Sequence, residues 1–243
     1  MRHALMMMLA AAVLAVTGCA RKATVPTPAP SPAWLEPVKR MVKNGDYVDA
    51  LRKLAESAKG AAQDAGMAEA WYLEGYVLAY GRSEYKKARI PLQKLIDADP
   101  RHPMAPYAMR LLGDCYYFGR ATEAAKRQYG TLLEMYGDAG FGAYALLQTG
   151  NCWIQDGKAG DALTAWRDAV EKYPQDPCAV RAQLQVANVY IGLDDPQMAR
   201  PELQKLSSMT DDPVVNGIVR AELAKMDAKK KPRSRATKKG TEE

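Results

Sequence analysis

The sequence predicts an all-α chain of about five stacked helix–turn–helix units closed by a C-terminal helix. Three observations predict it. Alanines recur at Ala88, Ala125, Ala162 and Ala199, a constant 37 residues apart. Small residues recur upstream of them at Gly75, Gly113, Gly150 and Ala187, spaced 38, 37 and 37. Between these anchors apolar residues return every three or four positions, the period of an amphipathic helix, and no useful stretch alternates as a strand would. A fixed period of this length marks a repeat architecture, in which each copy buries its apolar face against the next.

Each copy reads as two helices. In the third, Pro106 to Phe118 forms the first, with Met109, Leu112, Gly113 and Tyr116 on one side. Gly119-Arg120 breaks it, and Thr122 to Met135 forms the second, carrying Ala125, Tyr129 and Leu132. Small residues at Gly113 and Ala125 let the two helices approach closely. The fourth copy repeats the scheme with Gly150, Trp153, Ala162, Trp166, Ala169 and Pro174. Ala50, in Gly45-Asp46-Tyr47-Val48-Asp49-Ala50, marks an earlier, degenerate copy that also keeps Trp34. Pro91 and Pro201 fall inside second helices, where a missing N–H and the ring itself should bend them. The copies span about 34–66, 68–102, 106–139, 143–176 and 180–213, and residues 214–229 form a helix that caps the apolar end.

Leu112-Gly113, Tyr116, Ala125 and Tyr129, with Gly150, Ala162, Trp166, Ala169 and Pro174, resemble the tetratricopeptide repeat, or TPR. The resemblance covers roughly residues 33–213 and implies a right-handed TPR solenoid. Three residues beyond the usual 34 fall between copies, as in Tyr173-Pro174-Gln175-Asp176-Pro177. That longer period is similar to envelope TPR proteins, among them the TPR lipoprotein of the β-barrel assembly machinery and the TPR protein of the Tol–Pal system.

The N-terminus is a targeting segment. Met1-Arg2-His3 precedes an apolar run from Ala4 to Val16, which as a helix rises only about 20 Å, short of a ~30 Å hydrocarbon core. Such a run fits a secretory signal and not a spanning helix. It ends in Val16-Thr17-Gly18-Cys19, which resembles the bacterial lipobox and implies a signal over 1–18, with Cys19 as the lipidated N-terminus. No Asp follows the Cys, which by resemblance to proteobacterial sorting favours the outer membrane, facing the periplasm. Residues 19–33 are a tether whose Pro26, Pro28, Pro30 and Pro32 favour polyproline II, reaching roughly 40 Å.

The formal charge of +6 is a property of the tail. Residues 229–243 hold seven Lys/Arg against two Glu; apart from these and Arg2, 26 basic residues balance 26 acidic ones. A neutral body excludes the distributed basic face of a nucleic-acid binder. The tail, 230–243, reads as disordered, either a solubilising terminus or a segment suited to an anionic surface.

Chemistry-bearing patterns are sparse. His102 is the one histidine left after signal removal and lies in a turn, Asp99-Pro100-Arg101-His102-Pro103. No residue stands by to hold it as the base of a nucleophile. Neither a phosphate loop nor a metal-spaced cluster is present, so no catalysis, cofactor or metal is expected. Cys115, Cys152 and Cys178 are odd in number. Cys115 and Cys152 share a repeat position on neighbouring helices, 8–10 Å apart, too far for a disulfide, and read as small buried residues.

The resemblance places first helices along a concave groove. Its positions fall on Tyr72, Tyr76 and Tyr80, then Tyr107, Arg110, Asp114, Tyr117 and Phe118, then Tyr144 and Asn151, and finally Asn188. Tyrosine offers large contact area and a polar tip, and asparagine can bond an extended main chain in both senses. These residues could instead pack between helices, with Arg110 and Asp114 as an i,i+4 surface pair. The groove lacks the several lysines or arginines that clamp a C-terminal carboxylate. The expected function is a non-enzymatic, membrane-anchored scaffold binding envelope proteins or peptide segments, foremost an outer-membrane assembly factor. The alternatives are a Tol–Pal-like or pilus-type adaptor and a non-catalytic subunit of a periplasmic hydrolase.

Overall fold

A computed structural model describes residues 31–60 and 66–230. The signal, Cys19, nearly all of the tether and the basic tail lie outside the described residues. Within them every regular element is helical. A 3₁₀ turn, Ala33–Leu35, leads into α1 (Glu36–Asn44) and α2 (Tyr47–Gly60); α3 (Met67–Tyr76) pairs with α4 (Tyr85–Ala98). Then come α5 (Ala105–Phe118) with α6 (Thr122–Tyr136), α7 (Gly142–Gln155) with α8 (Ala159–Lys172), and α9 (Pro177–Gly192) with α10 (Pro196–Ser208). The last helix is α11 (Pro213–Lys230).

The 37-residue alanines make the pairs. Ala50, Ala88, Ala125, Ala162 and Ala199 all have 0% exposure. One helical turn later, on the same face, stand Leu92, Tyr129, Trp166 and Leu203, all buried. The first three meet a glycine of the preceding helix. A Cβ on Gly75 would lie 2.6 Å from Leu92, one on Gly113 2.4 Å from Tyr129, and one on Gly150 2.3 Å from Trp166. Each pair therefore sets a large side chain on a bare stretch of backbone. Trp166 completes its fit by donating its indole N–H to the Leu147 carbonyl at 3.0 Å. Apolar clusters follow one another along the chain, each drawing on adjacent copies, as a one-dimensional stack requires.

The turns inside the pairs repeat as well, and the break of the third copy falls on Gly119-Arg120, as expected. Gly119 has an ordinary φ of −75°, and the left-handed residue is Arg120, at φ 60°. Its amide donates to the Tyr117 carbonyl and that of Ala121 to Tyr116, at 3.1 and 2.9 Å. This reciprocal pair ends a helix by satisfying its last carbonyls. Gly157 (φ 74°) and Asp194 (φ 55°) repeat it at intervals of 37, and Ser83 (φ 55°) occupies the same position in the second copy. Only one of these four is glycine.

The second copy also explains the odd spacing of 38. Eight residues separate Gly75 from Ser83, whereas seven separate Gly113 from Arg120. The extra residue is absorbed in a π-helical turn, Val77–Gly81, which extends α3. The closing bond widens accordingly: the Glu84 amide reaches back six residues to Leu78, where Ala121 reaches back five.

Pro91 and Pro201 sit inside α4 and α10, which both run on through them. The carbonyls they leave without their helical partner belong to Lys87 and Gln197, both exposed residues. The α9 helix begins at Pro177, three residues before the copy expected at 180, because the Asp176 carboxylate caps the Cys178 amide at 2.8 Å. The end helix behaves as a cap. Val215 and Val219 are buried with Leu203 and Leu206, while Arg220, Lys225 and Asp227 face outward. Ala224 stands 37 residues after Ala187, so the cap keeps the register of a first helix.

Gly113→Ala is expected to lower unfolding stability by about 2–3 kcal/mol, because the added methyl meets a ring with no room to retreat. Arg120→Gly should raise it by about 0.5–1 kcal/mol, since the left-handed penalty of roughly 1–2 kcal/mol outweighs the added chain entropy. Urea midpoints of the two variants against wild type check both; equal midpoints would remove the packing and turn arguments.

Candidate functional site

The first helices carry matching positions around their small residues. One place after each stand Tyr76, Asp114, Asn151 and Asn188; six before stand Glu69, Tyr107, Tyr144 and Arg181. At the centre is Asp114, only 3% exposed. Its Oδ2 accepts the Tyr80 hydroxyl at 2.9 Å, and its Oδ1 accepts those of Tyr129 and Tyr144 at 2.8 and 2.6 Å. Three successive copies thus meet at one carboxylate. The chain of bonds continues along α7: Gln148 Nε2 donates to Tyr144 Oη at 3.0 Å, and Asn151 Nδ2 to Gln148 Oε1 at 2.6 Å.

Burial pushes the Asp114 carboxyl above its usual range, while the hydroxyls of Tyr144, Tyr129 and Tyr80 and the charge of Arg110 pull it back. The hydroxyls of Tyr80, Tyr129 and Tyr144 are raised by burial first and by the Asp114 charge second, so they stay protonated donors. Arg110 does not form the surface ion pair considered for it. Asp114 is buried and turned to the tyrosines, and no Arg110–Asp114 ion pair stands among the described residues. The guanidinium lies 5.2 Å from the Tyr144 ring centroid, a cation–π distance. Its Nε is buried with no hydrogen-bond partner among the described residues. A buried donor left unmade costs about 1–3 kcal/mol.

The other anticipated residues divide. Tyr72, Tyr76 and Tyr80 form a run of rings with centroids 6.4 and 5.1 Å apart, Tyr80 being 46% exposed. Tyr107 packs edge-on to Phe141 at 5.3 Å. Tyr117 and Phe118 make an edge contact of their own, and Phe118, 49% exposed, stacks on Tyr85 of α4 at 5.5 Å. These two lie outside the hydrogen-bonded chain. Asn188 is half-buried and continues the register one copy beyond Asn151. Two members were missed. Tyr129 had been assigned to helix packing, which its ring does perform while its hydroxyl reaches Asp114. Gln148 stands four residues after Tyr144 and three before Asn151, the helical spacing that could have found it.

The sulfurs and the histidine lie apart from this chain of bonds. Cys115 and Cys152 are free and buried, and burial pushes both thiols up to about 12, leaving them protonated at neutral pH. His102 Nδ1 accepts the Met104 amide at 3.0 Å, a turn-stabilising bond.

Residues 144–176 match the tetratricopeptide repeat family. Most of the chain matches solved structures of that architecture. MamA from Desulfovibrio magneticus RS-1 is 21% identical with a TM-score of 0.56, covering 72% of this chain and 92% of that one. A tetratricopeptide repeat protein from Parabacteroides merdae is 20% identical with a TM-score of 0.60, over 81% and 73%. The fold is a TPR solenoid. YrrB, described as a TPR protein with an unusual peptide-binding site, is 18% identical with a TM-score of 0.53, over 79% and 90%. No curated protein matches the chain in sequence.

The buried network should be readable in stability. Tyr129→Phe removes a buried bond to a carboxylate and is expected to cost about 1.5–3 kcal/mol; Tyr80→Phe, at a half-exposed site, should cost less. Because burial raises the Asp114 carboxyl in the folded state, its share of stability is greatest at low pH and is lost as pH rises through the raised value. Unfolding midpoints of wild type and Asp114→Asn between pH 4 and 8 should therefore converge in acid-favouring order, wild type gaining on the variant as pH falls. A difference constant across that range would refute the assignment.

Proposed function

We propose that this TPR solenoid is a membrane-anchored interaction scaffold of the bacterial cell envelope, binding segments of partner proteins along its concave face. The observation that carries the binding reading is the run of rings Tyr72, Tyr76 and Tyr80 on one face, with Tyr80 46% exposed beside the Arg110 guanidinium that lies over the Tyr144 ring. Solenoids of this kind present extended concave surfaces to partners. Tyrosine-rich, net-neutral surfaces gain affinity from rigid aromatic contact and need no charge complement. No helix among the described residues is long and apolar enough to cross a membrane. The apolar run ending in Val16-Thr17-Gly18-Cys19 supports an anchor through a lipid on Cys19, facing the periplasm from the outer membrane. The specific form we propose is an assembly factor similar to the lipoprotein of the β-barrel assembly machinery.

Mass spectrometry of the detergent-extracted mature chain should find acyl mass on Cys19, absent after Cys19→Ser; an unmodified N-terminus would sink the anchor. Crosslinking in intact envelopes followed by affinity purification should recover a β-barrel insertase. Recovery of Pal or cell-division proteins in its place would overturn that form. Arg110→Gln is the variant for the groove, because it removes the charge beside Tyr144 while leaving a polar side chain in its place. Partner capture is expected to fall about tenfold, the loss of one charged hydrogen bond, in a variant whose unfolding stays cooperative. Undiminished capture would reject the concave face as the binding surface.

A further inference from the structure

We infer that the junction between the fifth copy and the cap is a pocket for a tyrosine side chain of a partner protein, placed where the chain's own tyrosines stand in the two copies before it. The inference rests on the chain binding partner segments, as proposed above, but not on the concave face being where they lie.

The repeat register locates the pocket. Tyr136 and Tyr173 stand 37 residues apart, each at the end of a second helix. Both turn back onto the linker that precedes their own copy. The Tyr136 hydroxyl donates to the Pro100 carbonyl, 36 residues earlier, at 2.6 Å, and its ring centroid lies 6.4 Å from that of Phe141. Tyr173 repeats the arrangement. A Cβ on Gly137, again 36 residues earlier, would lie 3.0 Å from its hydroxyl oxygen, and one on Gly142 would run into its ring. One period later the residue is Thr210, which has no ring to offer. Its hydroxyl oxygen is engaged locally, accepting the Asp212 amide at 3.1 Å.

The space a ring would take there is open. A cavity of about 360 Å³ has Thr210 among its walls, a size within the range of ligand sites. Pro174 and Val215 also line it, and they stand two periods after Pro100 and Phe141, the residues that hold Tyr136. Pro177, Leu184 and Met209 add apolar wall. The register puts the Pro174 carbonyl where the Pro100 carbonyl accepts a phenol, so the hydroxyl of an incoming tyrosine has its acceptor. Arg181 and Asp212 at the pocket carry opposite charges, which suits a neutral ring better than an ion.

The ring has to come from another molecule. All thirteen Tyr, four Trp and two Phe lie among the described residues, so the remaining segments of the chain hold no aromatic side chain. A second copy is poorly equipped to supply one. Its exposed rings are Tyr80, bonded to Asp114, and Phe118, stacked on Tyr85. A partner segment with an exposed tyrosine meets the requirement, and a buried aromatic anchor of this kind is the usual centre of a protein interface.

Titration of N-acetyltyrosinamide into the full mature chain, followed through the Met209 methyl resonance, tests this. Saturable shifts at Met209 are expected, with N-acetylphenylalaninamide binding about fivefold more weakly for want of the hydroxyl. Thr210→Tyr supplies the ring from the chain itself. Binding should then fall at least tenfold, in a protein that melts no lower than wild type. No shift at Met209, equal binding of the two amides, or undiminished binding to Thr210→Tyr overturns the inference. So does a Thr210→Tyr chain that melts below wild type, because the ring would then not fit. Concentration-dependent dimers that Thr210→Tyr abolishes would give the pocket to a second copy and overturn the partner. Partner capture with Arg110→Gln decides the concave face, and the titration contains no partner, so the two failures are distinguishable.

Discussion

Tyr129 joins the architecture of this solenoid to its chemistry. Its ring fills the gap over Gly113, and its hydroxyl bonds to the next residue, Asp114. Adjacent residues of one helix thus receive both ends of a single side chain from the other. Packing and polarity are fixed by the same contact. The ring sets the distance between α5 and α6, while the hydroxyl holds the carboxylate in place for Tyr80 and Tyr144 from the copies on either side. A fully engaged buried carboxylate is tolerable where a half-engaged one is not, so the three hydroxyls form a closed set.

The π-turn after Tyr76 belongs to the same design. One added residue would ordinarily rotate everything after it by about 100° and expose the apolar face of α4. Absorbing it locally keeps Ser83 and Ala88 in the 37-residue register and places Tyr80 where its hydroxyl meets Asp114. The first helices are consequently different in kind along the solenoid. Copies two to four contribute tyrosines around Arg110, whereas Asn151 and Asn188 continue the register with polar rungs.

Much of the fold was legible because the repeat is written in residue size. Ala125 and Gly113 are small for a local reason, the close approach of two helices, and the same reason recurs every 37 residues. The third copy's helices match their expected spans to within a residue. The turn was less legible: Gly119-Arg120 points to the glycine, but the left-handed conformation falls on the arginine. Helix-end geometry is set by which amide completes the carbonyl pair, not by which residue finds it easiest. The candidate site was legible as positions and not as bonds. Asp114, four residues after Arg110, looks like half of a surface pair until the second helix and the neighbouring copies are set around it.

By itself the sequence determined the period, the pairing of helices, the neutral body with its basic tail, and the identity of the residues on each first helix. Those follow from contacts within about forty residues, which a repeating pattern encodes. Only the tertiary structure decided that Tyr80, Tyr129 and Tyr144 converge on Asp114 and that Arg110 lies over the Tyr144 ring. Those are distances between copies, and hydroxyl direction and burial depend on how far one helix pair turns relative to the next. No spacing within a single copy records that rotation.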